Sequence, residues 1–202
     1  MIAEPNYLSG GDGTISASFA RSAHNSNNYQ ETTNVNELIA SCSVSKENLS
    51  KLYAMFKSSV FAVAFSITAD YHLSEDAVAE TFIRLTQAKN FSSRRGDGKG
   101  FILTIARNVA LELRRRYKKE VTNFVIQSYG EAEQTVEDSI FINQLLKHLN
   151  DKQRQTVVLK CCAELTFREI AVIMKCPETT VKSRYKKAMS ILQEKAGENG
   201  EK

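Results

Sequence analysis

Apolar residues recur at three- and four-residue steps along two stretches of the chain, and the pattern lapses before and between them. Leu49, Leu52, Tyr53, Phe56, Val60, Val63, Ala64 and Ile67 form one helical stripe. Ser45 stands before it as a predicted N-cap. After a break at Asp70 and Tyr71, Ser74 is predicted to cap a second helix. Glu75 and Asp76 suit the positive end of its dipole, and Val78, Phe82 and Leu85 make its apolar side. Residues 91–100, FSSRRGDGKG, carry three glycines within five positions and read as a loop. A third helix follows, with Phe101, Ile102, Ile105, Ala106, Val109 and Leu113 on one side, and runs into Arg114, Arg115, Arg116, Tyr117, Lys118 and Lys119. Three amphipathic helices with short connections predict a small all-α domain over 46–119.

The period lapses over 120–135, which reads as an acidic-leaning linker, and returns near Val136 with Ile140, Phe141, Leu145 and Leu149. Asn150 then caps a helix with Gln153 at capping-box spacing, and Val157, Val158 and Cys161 continue its apolar face to Leu165. The predicted fold class is therefore all-α: two small helical domains, 46–119 and 136–196, joined by a flexible linker, with a tail at 197–202. Residues 1–45 are rich in Ser, Asn, Thr and Gly without sustained periodicity and are expected to stay flexible. They are either an inert tail or a regulatory segment.

Charge changes this picture. The chain has 202 residues and a formal net charge of +4, but residues 1–45 hold one base (Arg21) against four acids (Glu4, Asp12, Glu31 and Glu37). Residues 84–119 hold eleven Lys and Arg against two acids, Asp97 and Glu112, a distribution that points to an anionic partner. No stretch approaches the 18 or so apolar residues of a transmembrane helix, so no membrane insertion is expected. The N-terminus lacks the pattern of a signal peptide, and a cytoplasmic location is expected. Cys42, Cys161, Cys162 and Cys176 show no CxxC spacing, so idle free thiols are favoured over a metal site with His148. No cofactor or metal is expected, and no nucleophile–base pair, carboxylate cluster or phosphate-cradling glycine loop suggests an enzyme.

Residues 165–189, LTFREIAVIMKCPETTVKSRYKKAM, carry the most chemistry. Thr166 caps a short helix with Ile170, Ala171 and Met174 inward, and a turn at Cys176 and Pro177 leads into a helix from about Glu178. Ala171 allows close helix approach, while Val181 and Ala188 pack inward. This is a helix-turn-helix pattern, whose second helix enters the major groove of DNA. Its outward face bears Thr180, Lys182, Ser183, Arg184, Lys186 and Lys187, cations and hydroxyls able to reach guanine acceptors or phosphates. Lys175 stands where glycine usually takes the left-handed turn position, at a cost of about 1 kcal/mol.

The same stretch, with LNDKQRQTVVLKCCAELTFREIAVIM and TTVKSRYKKAMSIL, resembles region 4 of bacterial sigma factors of the extracytoplasmic-function (ECF) group, in the sigma-70-like family. SEDAVAETFIRL (74–85) and FILTIARNVALELRRR (101–116) resemble region 2 of the same family. The resemblance implies a sigma factor that binds core RNA polymerase and directs promoter recognition and initiation. It implies a polymerase-facing surface at Asp76, Glu80 and Phe82. It also implies capture of the melted promoter strand by Arg94, Arg95, Lys99, Arg107, Asn108, Arg114, Arg115 and Arg116. Asn108, in the ARN motif, either bonds a base or phosphate or caps the loop structurally. The chain departs from the family at Ala79, where Gln is frequent, at Thr86, where an aromatic is frequent, and at Phe101, which replaces a frequent Trp. With no Trp in the chain an indole wedge is excluded, and the resemblance implies that strand opening would rely on capturing unpaired bases. An anti-sigma partner is expected by the same resemblance.

Two other functions compete. A helix-turn-helix regulator acting on duplex DNA without polymerase would bring an α/β receiver or ligand domain. The helical pattern at 46–119 opposes that. A recombinase-like nucleic-acid enzyme would need a catalytic set, which the sequence does not present.

Overall fold

The computed structural model describes residues 35–88, 91, 97–120 and 146–200, and among these there are seven helices and no strand. They are α1 (Val35–Ser41), α2 (Lys46–Thr68), α3 (Tyr71–Gln87), α4 (Gly98–Glu120), α5 (Asp151–Cys161), α6 (Phe167–Met174) and α7 (Glu178–Gly200). The expectations for residues 1–34, for the linker after Glu120 and for the helix starting near Val136 lie outside the described residues.

The first module is the expected three-helix unit. α2, α3 and α4 each pack on the other two around Leu52, Val60, Val63, Leu85, Ile102 and Leu103, each at most 1% exposed. Removing one such side chain, as in Leu52→Ala, costs about 2–5 kcal/mol, because the hole closes only partly. Ser45 caps α2 as expected, accepting from the Asn48 N–H.

Two boundaries differ from expectation. α3 begins at Tyr71, capped by Asp70, whose Oδ1 accepts the Leu73 N–H at 2.7 Å. Ser74 is buried and donates instead to the Asp70 carbonyl. The sequence offered two polar caps, and the left-handed Ala69 (φ 54°) turns the chain sharply enough to start the helix at the earlier one. The second difference is α1. Residues 35–41 are helical and bury Leu38 and Ile39, with Cys42 buried just beyond, so the first module starts before residue 46.

In the second module α5, α6 and α7 surround Leu159, Leu165, Ile170, Val181 and Leu192. Asn150 and Gln153 form the expected reciprocal capping box, and Thr166 with Glu169 forms another at α6. The modules are in contact: α5 packs on α2, α6 packs on α4, and the buried side chains make one cluster. No helix among the described residues is long and apolar enough to cross a membrane.

Candidate nucleic-acid interface

The turn between α6 and α7 is built by backbone bonds. Lys175 is left-handed (φ 51°), its N–H reaches the Val172 carbonyl at 3.2 Å, and the Cys176 N–H reaches the Ala171 carbonyl at 3.0 Å. These paired bonds form a Schellman motif, which satisfies the last carbonyls of α6 and reverses the chain. Pro177 follows, and its carbonyl accepts from Thr180 and Val181 as α7 begins. Val181, Ala188, Met189 and Leu192 face inward.

That inner stripe sets what α7 presents outward. Lys182, Ser183, Lys186 and Lys187 are exposed, while Thr180 and Arg184 are half-buried. Lys182 pairs with Glu178 at 2.7 Å, one turn back. Arg184 Nη1 lies 3.4 Å from Cys176 Sγ, which ties the helix to the turn. Behind them Tyr185 packs edge-on against Phe167, with ring centroids 5.4 Å apart.

The cations of α4 split into two groups. Lys99, Arg107 and Arg114 lie toward the second module. Arg107 Nε donates to Gln155 Oε1 at 3.1 Å, and Arg114 Nη1 to Asp151 Oδ2 at 2.6 Å. Asp151 also accepts from Arg154 at 2.8 Å. Burial alone would raise the Asp151 carboxyl, but the bonds and charges of Arg114 and Arg154 outweigh it and hold it below its ordinary value. Burial pulls the Arg107 guanidinium below its ordinary value, with Cys176 acting in the opposite sense. Glu169 is held low chiefly by hydrogen bonds from Thr166, and Lys99 adds attraction across the module boundary. Arg154 Nε is buried with no hydrogen-bond partner among the described residues.

Asn108, Arg115 and Arg116 are exposed on α4. Arg115 Nε bonds the Leu111 carbonyl at 3.2 Å, and Arg116 pairs with Glu112. Arg94 and Arg95 lie outside the described residues.

On α3, Asp76 is exposed and Glu80 is half-buried. Glu80 accepts from Arg84 Nε at 2.6 Å, and Arg84 reaches Glu112 at 2.8 Å, so a chain of ion pairs joins α3 to α4. Phe82 corrects the expectation of a surface contact: it is 5% exposed, with its ring 4.9 Å from that of Tyr53. The apolar residue that reaches solvent is its neighbour Ile83, 51% exposed. Asp76, Glu80, Ile83 and Gln87 share one side of α3 by their spacing of four, three and four, a signal that sequence reasoning overlooked.

The four cysteines are free, and burial, then the neighbouring Cys161, pushes the Cys162 thiol up to about 12. Among the described residues no group of three or more His, Cys, Asp or Glu is placed to hold a metal ion.

Residues 52–120 match the family model for Sigma-70 region 2, and residues 142–192 match that for Sigma-70 region 4. The chain is 29% identical over 142 residues to the ECF RNA polymerase sigma factor SigM of Bacillus subtilis, covering 67% of this chain and 86% of that protein. Among solved structures, the sigma factor RpoE of Bartonella quintana, in complex with the anti-sigma factor NepR, has a TM-score of 0.62 at 23% identity. That match covers 74% of this chain and 96% of the other. CnrH, in complex with the cytosolic domain of CnrY, has a TM-score of 0.61 at 17% identity, covering 81% and 97%. At these identities the structural matches speak for the fold alone.

Proposed function

The chain belongs to the sigma-70 family, in the ECF group; it binds core RNA polymerase and directs transcription initiation, and we propose which of its surfaces do so. In this reading α7 lies in the major groove of the upstream promoter element. Thr180, Lys182, Ser183, Arg184, Lys186 and Lys187 contact bases and phosphates there. The observation that carries the reading is the exposed cationic side of α7, presented behind a turn held by the paired backbone bonds of Lys175 and Cys176. The protein supplies no bond-making chemistry of its own and works in the cytoplasm beside the polymerase.

The first module then captures the melted strand. Arg94, Arg95, Lys99, Arg107, Asn108 and Arg114–Arg116 supply cations and one amide. Arg107 and Arg114 must exchange Gln155 and Asp151 for nucleic acid, so strand capture and module packing compete for the same groups. Asp76, Glu80 and Ile83 make the polymerase-facing side of α3, supported from within by Phe82. An anti-sigma partner, of the kind bound to RpoE, restrains the factor.

The test is transcription. Purified protein added to active core polymerase should confer promoter-specific initiation on some members of a genomic fragment library. Absence of specific transcripts from every fragment would overturn the reading.

A further inference from the structure

The first turn of α4 is completed by a residue far away in sequence. The leading N–H groups of a helix have no partner within it and need one from outside. At Gly98 that partner is Asn36 of α1, whose Oδ1 accepts the Gly98 N–H at 2.9 Å across 62 positions. The approach is close enough that any larger residue would push these α1 side chains aside. A Cβ on Gly98 would lie 2.6 Å from Asn36 Oδ1 and 2.9 Å from both Ile39 Cδ1 and Val35 Cγ1.

α1 is itself anchored at its other end. Leu38 and Ile39 are buried, Asn48 Nδ2 donates to Ser41 Oγ at 2.8 Å, and Cys42 Sγ reaches the Leu85 carbonyl at 3.9 Å. One end of α1 is thus tied to α2 and α3 while the other holds the start of α4. Lys99 is the next residue along, and Arg107 and Asn108 follow about 12–14 Å further at 1.5 Å per residue. A helix is stiff, so a shift of its first turn moves these side chains with it.

We propose that α1 is a positioning element for strand capture: the Asn36 cap fixes the first turn of α4 before DNA arrives. Nucleic acid binding then does not have to order that turn. α1 lies before residue 52, where the region 2 match begins, so neither family match assigns it this task. The proposal rests on the reading of α4 as the strand-capturing helix.

The experiment uses full-length protein, core polymerase and a duplex promoter that the wild-type holoenzyme has itself selected from the fragment library. Strand opening is read by permanganate reactivity of unpaired thymines, beside a copy of the same promoter with the opened segment mismatched in advance. Asn36→Ala should lower opening of the duplex about fivefold, the equilibrium factor an N-terminal capping bond carries. It should weaken binding to the mismatched copy by a similar factor, because that copy spares the melting step and not the capture step, and should leave core affinity unchanged. Asn36→Asp, which keeps an acceptor oxygen, should restore opening. Gly98→Ala, whose Cβ would displace Asn36 Oδ1 from the cap, should reproduce the defect with Asn36 intact. Equal opening by Asn36→Ala and wild type overturns the proposal. So does a parallel loss of core affinity and helicity, since α1 would then merely brace the module. Failure of the wild-type holoenzyme to select any promoter is a different result, and it overturns the function reading itself.

Discussion

α4 and α7 are each 23 residues long and each is rich in Lys and Arg, yet the fold treats their cations differently. α7 presents Lys182, Ser183, Lys186 and Lys187 to solvent, whereas α4 turns Arg107 and Arg114 toward α5. The difference has an energetic meaning. Exposed cations such as Lys186 and Lys187 meet phosphate by releasing counterions, whereas Arg107 and Arg114 must first give up Gln155 and Asp151. In the proposed reading, contact with duplex is therefore available to the free protein, and contact of Arg107 and Arg114 with melted strand is conditional on the modules moving apart.

Arg184 sharpens the first half of that contrast and carries the largest expected effect. Arg184→Ala should weaken binding to the cognate upstream duplex by about 1–3 kcal/mol if the guanidinium reads a base, and should leave single-stranded oligonucleotide binding unchanged. Titration against cognate and scrambled duplexes decides the matter, because equal losses on both would make it a phosphate contact. Lys186→Ala serves as the reference: it should weaken all duplexes alike and reduce the salt slope by about 1.

Asp151 breaks the second half. Asp151→Arg replaces the shared acceptor of Arg114 and Arg154 with a like charge. Because the carboxylate side chain is 44% exposed, the loss to the module contact should be modest, roughly 1–2 kcal/mol. Single-stranded oligonucleotide affinity should then rise, by up to about tenfold, while duplex affinity stays constant. Unchanged strand affinity would show that packing and capture do not compete. The pH dependence has a definite sign. The folded Asp151 carboxyl lies below its ordinary value, so its contribution is complete above about pH 4 and is lost as pH falls through the lower folded value. This ion pair should therefore add no pH dependence to module contact between pH 6 and 8, and scattering measurements should show its loss only in acid.

How far the sequence foretold all this depends on the reach of each interaction. The caps at Ser45, Asn150 and Thr166, and the left-handed Lys175, involve residues three to five positions apart, and all were legible. α1 was not. Seven residues cannot hold a helix by propensity, and Leu38 and Ile39 are secured only by partners brought in from elsewhere in the chain. The module contact joins polar residues 37 and 48 positions apart, which no periodicity reports. Phe82 is a different failure. The spacing of Val78, Phe82 and Leu85 already placed its ring in the core, and family likeness alone suggested the surface.

The smallest effect tests whether the open presentation of α7 depends on strain in the turn before it. Lys175 holds φ 51°, a region where a Cβ is disfavoured by about 1 kcal/mol and glycine is at ease. Against this, glycine makes the unfolded chain more mobile, which takes back part of the gain. Lys175→Gly should therefore stabilise the protein by roughly 0.5–1 kcal/mol, read as a higher urea midpoint at unchanged slope. The bonds of the turn run through backbone N–H groups at 175 and 176, which glycine retains, so the angle between α6 and α7 should persist. Ala69→Gly offers the matching change at the α2–α3 connection of the first module. If Lys175→Gly gains stability but loses duplex affinity on every sequence, the exposed Lys175 ammonium is itself a phosphate contact, and the cationic surface of the second module starts one turn before α7.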